Sequence, residues 1–492
     1  MELPQNVLID IFHPNKNLKD EDFYKYSLKL GSYLDKIAIL FRLFLKRKES
    51  NTLFYIWLFQ VVDLNITKTK SYFMSMNNSS NGFILNLIYV LLQNFIQEQD
   101  LFSLISNIDS SIIFTNDKIN FIKNFDRVNS SNAKEYIEKH ILLNTDSKYN
   151  ETTHQFFIIQ ILISYIIQTL DYDIGKVRSQ IEEYHKNNPN VNAYINDYRY
   201  LNLHSIIKSC ELYMKNESFM NLFIKFNELT SLFIFTFISK NKNYKDYNFL
   251  DDLFDNASSL NPTDTNFFHS LPQFILNNVS YCLSFIKKNN SDALIKLKKS
   301  TVIICYYAMI LSSNNELITN PHARLEIFKI LENVLFNQPH NTLKNSLAEI
   351  IFNEQIIEKY LIKALINVYL DSDKLGVFID KIVIRQKILN YLDRQMNLPN
   401  YTKKLADLFN ESLDDISVTF ISFFLNDLSY LNDECIVMLR QINQYLEIKQ
   451  DTEKFNNLSH NRRWLLERNY MEAEKHYTVK IKVIILFNVI ML

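Results

Sequence analysis

The groups in this chain best suited to chemistry are few and widely spaced. His322 follows Asn320 and Pro321 in the run Glu316-Leu-Ile-Thr-Asn-Pro-His-Ala-Arg324. An imidazole acts as a general base only with a nucleophile, metal or transferable proton within reach. No such partner is spaced to His322, and Asn-Pro-His has the wording of a helix cap and first turn, so a local hydrogen bond accounts for it. Cys435 has the chemistry of a thioester nucleophile, but it lies on an apolar stripe and reads as a buried thiol. Asp427, Asp433 and Glu434 crowd one stretch as paired carboxylates would. At helical spacing they fit a solvated face or a pairing with Arg440. The expectation is therefore no catalytic residue, no cofactor-binding residue and no metal ligand.

The stretch carrying these groups is Ser412 to Ile448. Its apolar residues include Ile421, Phe424, Leu425, Leu428, Leu431, Cys435, Leu439, Ile442 and Leu446. Steps of three and four mark one buried helical face. Ser412 reads as an N-terminal cap with Asp415 in an acidic first turn. The stretch fits one long helix or two in tandem, because Asn432 and Asp433 interrupt it. On this reading Leu428 faces the core, and Asp427, about 100° further round, is exposed.

The chain has 492 residues, 47% hydrophobic and 22% charged, with 4 Gly and 8 Pro. That balance is globular. So few breakers argue against turn-rich β sandwiches and glycine-cradled phosphate sites, and for helices joined by polar loops. The net charge of −1 makes the whole chain no trap for nucleic acid. Lys46-Arg47-Lys48 reads as a solvated helix end. The lysine-rich loops read the same way, with an acidic partner as the alternative. The 4 Cys, at 210, 282, 305 and 435, have no metal spacing and suggest reduced, buried thiols. The start, MELPQNVLID, lacks the pattern of a signal peptide. Phe156 to Leu170 and Leu222 to Ile238 are the most apolar runs. Polar residues interrupt both, so they read as central core helices and not membrane spans.

In chain order, helices are expected over Leu28–Leu45, Leu53–Asn65, from Phe83 to Leu92, His154–Leu170, about Tyr194–Met214, Met220–Ile238, after Pro272, Thr301–Leu311, after Pro321, Glu354–Leu370 and Lys381–Leu392. Ser103–Tyr149 and Lys240–Thr265 read as polar loops, the first with short helical pieces. Gly82 is expected to permit a sharp turn before Phe83. Ile327, Phe328, Leu331, Val334 and Leu335 should form one face. No strict internal period is present. The fold class is all-α, an elongated armadillo-like superhelical array of antiparallel helices.

Three phrases carry a resemblance. Ser79-Ser-Asn-Gly-Phe-Ile-Leu-Asn-Leu-Ile-Tyr-Val-Leu-Leu92 resembles SSDGFxxNLxxVLL, with Asn81 for aspartate. Glu316 to Arg324 resembles ELxxNPHLR, with Ala323 for leucine. Leu425-Asn-Asp and Leu431-Asn-Asp-Glu434 resemble LNDxxxLLDE, with Asn432 for leucine. All three belong to the helical core of the U-box ubiquitin chain-elongation factors, of the ubiquitin-fusion-degradation type, and occur here in family order.

The resemblance implies a scaffold that positions ubiquitin and ubiquitylated substrates for chain extension in proteasomal degradation. It implies work with an AAA ATPase of the segregase type, and cytoplasmic and nuclear placement. In the family a C-terminal U-box recruits the ubiquitin-conjugating enzyme, and no catalytic cysteine is used. Here the likeness fades near Trp464 to Met471. The expected organisation is a helical core over 1–476, a divergent apolar tail over 477–492 and no U-box, as in a fragment, a truncated product or a shortened paralogue. A conjugating enzyme would then be a partner only if a U-box is present elsewhere. No nucleic acid and no membrane are expected. The alternatives are a catalytically silent adaptor of the same pathway and a helical-repeat receptor for transport or assembly.

Overall fold

The computed structural model describes residues 20–65, 81–96, 100–114, 126–128, 150–187, 213, 216–239, 247–250, 253–257, 268–336, 347–375, 378–396, 403, 407 and 415–491. Among these residues every extended element is helical. The one backbone pairing of β type is an isolated antiparallel bridge between Arg127 and Pro272. The chain divides into two compact units, Met1–Ile357 and Glu358–Leu492.

The first unit opens with α1 (Asp20–Lys46) and α2 (Lys48–Asn65), followed by α3 (Asn81–Ile96) and the short α4 (Leu101–Asn107). Two long apolar helices, α5 (Glu151–Asn187) and α6 (Glu217–Ile238), form its centre. After them come α7 (Gln273–Asn289), α8 (Ser291–Lys296), α9 (Lys298–Ser313), α10 (Pro321–Leu331) and α11 (Leu347–Phe352). α3 packs on α1, α5 and α6, while α7 packs on α5, α6 and α10, so the apolar middle helices are covered on several sides. α6 is long and apolar enough to cross a membrane, but most of it is buried inside the unit, as a core helix is. Its Lys225 points out, whereas Asn227 and Glu228 are buried and hydrogen-bonded.

Rings fill the centre. Phe156 lies 4.9 Å from Phe233, 5.7 Å from Phe226 and 5.3 Å from Phe157, between ring centroids. Polar side chains within this core are matched to each other. Asn278 Nδ2 donates to the Gln160 carbonyl (2.7 Å) and to Gln160 Oε1 (2.9 Å), and Gln160 Nε2 donates to Thr230 Oγ1 (2.6 Å). These bonds tie α5, α6 and α7 and meet the requirement that buried amides be satisfied.

Helix starts follow their capping residues. Asn320 Oδ1 accepts from the backbone N–H of His322 at 3.0 Å, with Pro321 at the first helical position. Ile327, Phe328, Leu331, Val334 and Leu335 are all buried, as their spacing predicts. Glu332–Phe336 continues α10 as a π-helical turn. Lys240–Thr265 includes short helical turns at Tyr247–Leu250 and Leu253–Asn256. The charged run Lys176–Lys186 is the last part of α5, which stops at Asn187 before Asn188-Pro189. The expected helix over Tyr194–Met214, the Ser412 cap and Cys210 lie outside the described residues, apart from Tyr213.

Gly82 needs correction: it sits inside the first turn of α3, and nothing lies within 4 Å of where a Cβ would stand. A glycine there gains nothing from its freedom and loses backbone entropy on folding. Gly82→Ala is expected to raise the denaturation midpoint, by up to about 1 kcal/mol of stability. A fall in the midpoint would show a role for Gly82 beyond the helix.

The second unit holds most of α12 (Gln355–Asp371), then α13 (Phe378–Met396), α14 (Asp415–Gln450), the short α15 (Thr452–Asn456) and α16 (His460–Met491). α14 is one continuous helix of 36 residues despite Asn432 and Asp433. α16 packs along α14 and touches α13, with Tyr470 stacked on Tyr445 at 4.4 Å.

Candidate functional site

The first and third phrases of the sequence build polar joints between helices, and the second holds a turn. In α3, Asn86 Oδ1 accepts from the Tyr213 hydroxyl at 2.7 Å, and Tyr89 donates to Asp35 Oδ1 of α1 at 2.9 Å. Gln93 Nε2 adds a bond to the Tyr89 oxygen at 2.8 Å. In the second phrase, Asn314 Oδ1 accepts from the N–H groups of Glu316 and Leu317, and the Glu316 carbonyl lies 2.9 Å from His269 Nε2. His269 is buried. His322 itself is exposed at the start of α10.

The third phrase holds the most highly charged of these joints. Asp427 is 5% exposed, and so is Arg385 on α13. Arg385 Nη1 donates to Asp427 Oδ1 at 2.9 Å, and the Tyr369 hydroxyl donates to Asp427 Oδ2 at 2.6 Å. Arg385 Nε donates to Ser372 Oγ at 2.8 Å, and Nη2 reaches Asp373 Oδ1 at 3.2 Å. The guanidinium lies against the rings of Tyr369 and Phe423, 5.1 and 4.7 Å from their centroids. One arginine thus joins α12, the turn after it, α13 and α14. Burial pushes the Asp427 carboxyl above the ordinary carboxylate range, against the pull of Tyr369 and Arg385. The same burial, with Asp427 beside it, pushes the Tyr369 hydroxyl far up, so it keeps its proton as a donor.

This geometry overturns the sequence expectation for Asp427. It is buried rather than solvated, and its partner is Arg385 rather than Arg440. The buried face of α14 runs through Phe420, Phe424, Asp427, Leu431, Cys435 and Tyr445, while Leu428 is half-buried. Leu425, Leu439 and Leu446, expected inside, are exposed. Asp433 is exposed and Glu434 half-buried. Cys435 is buried, as expected, and so are Cys282 and Cys305, whose thiols burial pushes above their ordinary range. Among the described residues no group of three or more His, Cys, Asp or Glu could hold a metal ion. The Asp427 joint has both carboxylate oxygens occupied by donors held in place, so it suits fixing helices rather than moving protons.

Arg385, Tyr369, Ser372 and Asp373 were not singled out from the sequence. The available signal was the position of Asp427, three after Phe424 and four before Leu431, inside a period of 3.6.

A family model described as the ubiquitin elongating factor core matches residues 3–485. The chain belongs to this family. Among its relatives, the ubiquitin conjugation factor E4 A of Bos taurus is 25% identical over 206 residues, covering 38% of this chain and 19% of the relative. The ubiquitin conjugation factor E4 of Schizosaccharomyces pombe is 25% identical over 198 residues, covering 39% and 19%. The E4 ubiquitin-protein ligase UFD2 of Saccharomyces cerevisiae is 25% identical over 193 residues, covering 38% and 20%. The chain spans about a fifth of the length of the curated relatives it matches. Among the described residues the elongating-factor core is thus all-α here.

Proposed function

We propose that this chain is the scaffold of a ubiquitin chain-elongation factor acting in ubiquitin-dependent proteasomal degradation. The observation that carries this reading is the match to the elongating-factor core over residues 3–485. A scaffold accelerates transfer by holding a ubiquitylated substrate near a charged conjugating enzyme, and needs rigid helices rather than a nucleophile of its own. Joints such as Tyr369–Asp427–Arg385 supply that rigidity. On the same reading the partners are ubiquitin, ubiquitylated substrates and an AAA ATPase of the segregase type, in the cytoplasm and nucleus. A conjugating enzyme joins them only if a U-box is present elsewhere.

The test uses the purified chain with a mono-ubiquitylated model substrate, activating enzyme and conjugating enzyme. The chain should retain the ubiquitylated substrate over its unmodified form. It should extend the ubiquitin chain when fused to a U-box, and not when added alone. Equal retention of both substrate forms, with no extension by the fusion, would sink the proposal. Robust extension by the chain alone would place the active element within it, and Cys435→Ser would then test a thioester.

A further inference from the structure

We propose that the outer face of α1 is a docking surface for an acidic amphipathic helix of a partner protein. α1 buries Leu34 and Ala38 on its inner side. On the opposite side Tyr33, Leu40, Leu43 and Phe44 are each half or more exposed. Tyr33 and Leu40 stand seven apart, and Leu43 and Phe44 follow Leu40 by three and four, so they share one ridge, the pattern that a helix laid alongside reads with its own apolar residues. α2 extends the apolar surface with Leu53 and Ile56, both exposed. The two helices are joined beneath by Phe41, whose ring lies 4.8 Å from Phe54 and 6.0 Å from Trp57. Exposed apolar side chains in such a group mark an interaction site.

Charge selects the partner. Lys29, Lys36 and Lys46 on this helix, and Arg47 just after it, are exposed. Between Leu28 and Arg47 its one acid is Asp35, whose carboxylate accepts from Tyr89 and Gln93 of α3. The whole chain carries only −1, so this excess of cations is local to the face. A cleft of about 520 Å³ opens on the other, inner side of α1, toward α3 and α5, with Arg42, Lys46, Asn94, Glu151 and Gln155 among its lining. Arg42 Nε donates to Asn94 Oδ1 at 3.3 Å, and Asn51 Nδ2 donates to Glu151. The cleft is separate from the ridge, whose own exposed cations, Lys29 and Lys36, face an incoming helix.

A partner helix fits better than an anionic membrane. A helix lying in a bilayer surface keeps its cations on the polar face, so that its apolar face can enter the lipid. Here Lys36 stands between Tyr33 and Leu40 on the ridge itself, with its ammonium 5.8 Å from the Tyr33 ring centroid. Alternating cations and apolar groups match a helix that alternates acids with leucines.

The proposal stands independently of chain elongation, and its test uses the whole chain. The probe is a fluorescent helical peptide of about 18 residues with leucines at i, i+4 and i+7 and glutamates between them. Anisotropy should show saturable binding that weakens about tenfold or more between roughly 50 and 300 mM salt. Lys36→Glu and Leu40→Ser should each weaken it about tenfold, with the melting temperature unchanged because both side chains are exposed. A peptide with lysines in place of the glutamates should not bind. The idea fails if the acidic peptide does not bind, or if neither substitution changes its affinity. It also fails if the chain sediments with phosphatidylserine vesicles and ignores the peptide, since the face would then be a membrane contact.

Discussion

Asp427→Ala should destabilise this protein by up to about 3–5 kcal/mol, because it takes from a buried arginine its buried counter-charge and leaves it the half-exposed Asp373. Arg385 is 5% exposed and has its hydrogen bonds to Asp427, Ser372 and Asp373 fixed by packing. Alanine also leaves the Tyr369 hydroxyl without its acceptor. Leu428→Ala, at a half-buried position, should cost less than the about 2–5 kcal/mol of a fully buried leucine. The order of the two variants is thus the reverse of what the apolar stripe alone suggests. Denaturant melts of the full chain check it, with attention to two transitions if the units unfold separately. Equal losses would mean that water reaches the arginine. The triple change Asp427→Leu, Arg385→Met, Tyr369→Phe should recover most of the loss, since desolvating the ion pair is itself costly.

The pH response of this joint has a definite sign. The folded carboxyl of Asp427 has a raised pKa, so the folded state binds its proton more tightly than the unfolded chain does. Its contribution to stability is full below the unfolded carboxylate pKa and is lost as pH rises through the folded value. Acid unfolding of the protein therefore should not begin at Asp427. Asp427→Asn should remove a downward slope of stability with pH in that window, and an unchanged slope would show that another carboxyl carries it.

Phe156→Ala should cost the first unit about 3–5 kcal/mol. The ring is fully buried and touches neighbours from α5 and α6, with Phe95 of α3 6.5 Å away between centroids. Alanine removes a large buried area and leaves a cavity among stiff rings that cannot fold inward. Phe156→Leu should lose a smaller part. The check is a melt in which the first unit's transition moves and the second unit's does not. A loss below about 1 kcal/mol would mean that the surrounding helices close the gap.

The sequence made the helices legible where apolar spacing was long and caps were plain. Asn320-Pro321 located α10, and Phe156 to Leu170 lay within the long α5. The face of α14 was misread because two periods run through the same residues. Leu425, Leu428, Leu439 and Leu446 satisfy alternating steps of three and four, yet the packed face follows Phe420, Phe424, Asp427, Leu431 and Cys435. A charged residue in the second series made the first look better. Arg385 and Tyr369, 42 and 58 residues away in sequence, make a buried aspartate tolerable, and no local pattern can reveal that. Gly82 was misjudged for a different reason: a glycine between a polar run and an apolar run looks like a hinge, whether or not the chain turns there.

The π-helical turn at Glu332–Phe336 has a consequence for comparing relatives. A wide turn of this kind is how a finished helix absorbs one added residue without unravelling. The residues on either side keep their faces inward: Phe328 and Leu331 before it, Val334 and Leu335 within it. Asn333 Nδ2 uses the altered phase to reach Ser284 Oγ of α7 at 2.7 Å. Removing one residue here would let the wide turn close to ordinary α-helix geometry while the buried faces on both sides keep their direction. A one-residue alignment gap inside this helix would therefore mark a relative that keeps the helix and its inward faces but lacks the wide turn, and with it the reach of Asn333 to Ser284.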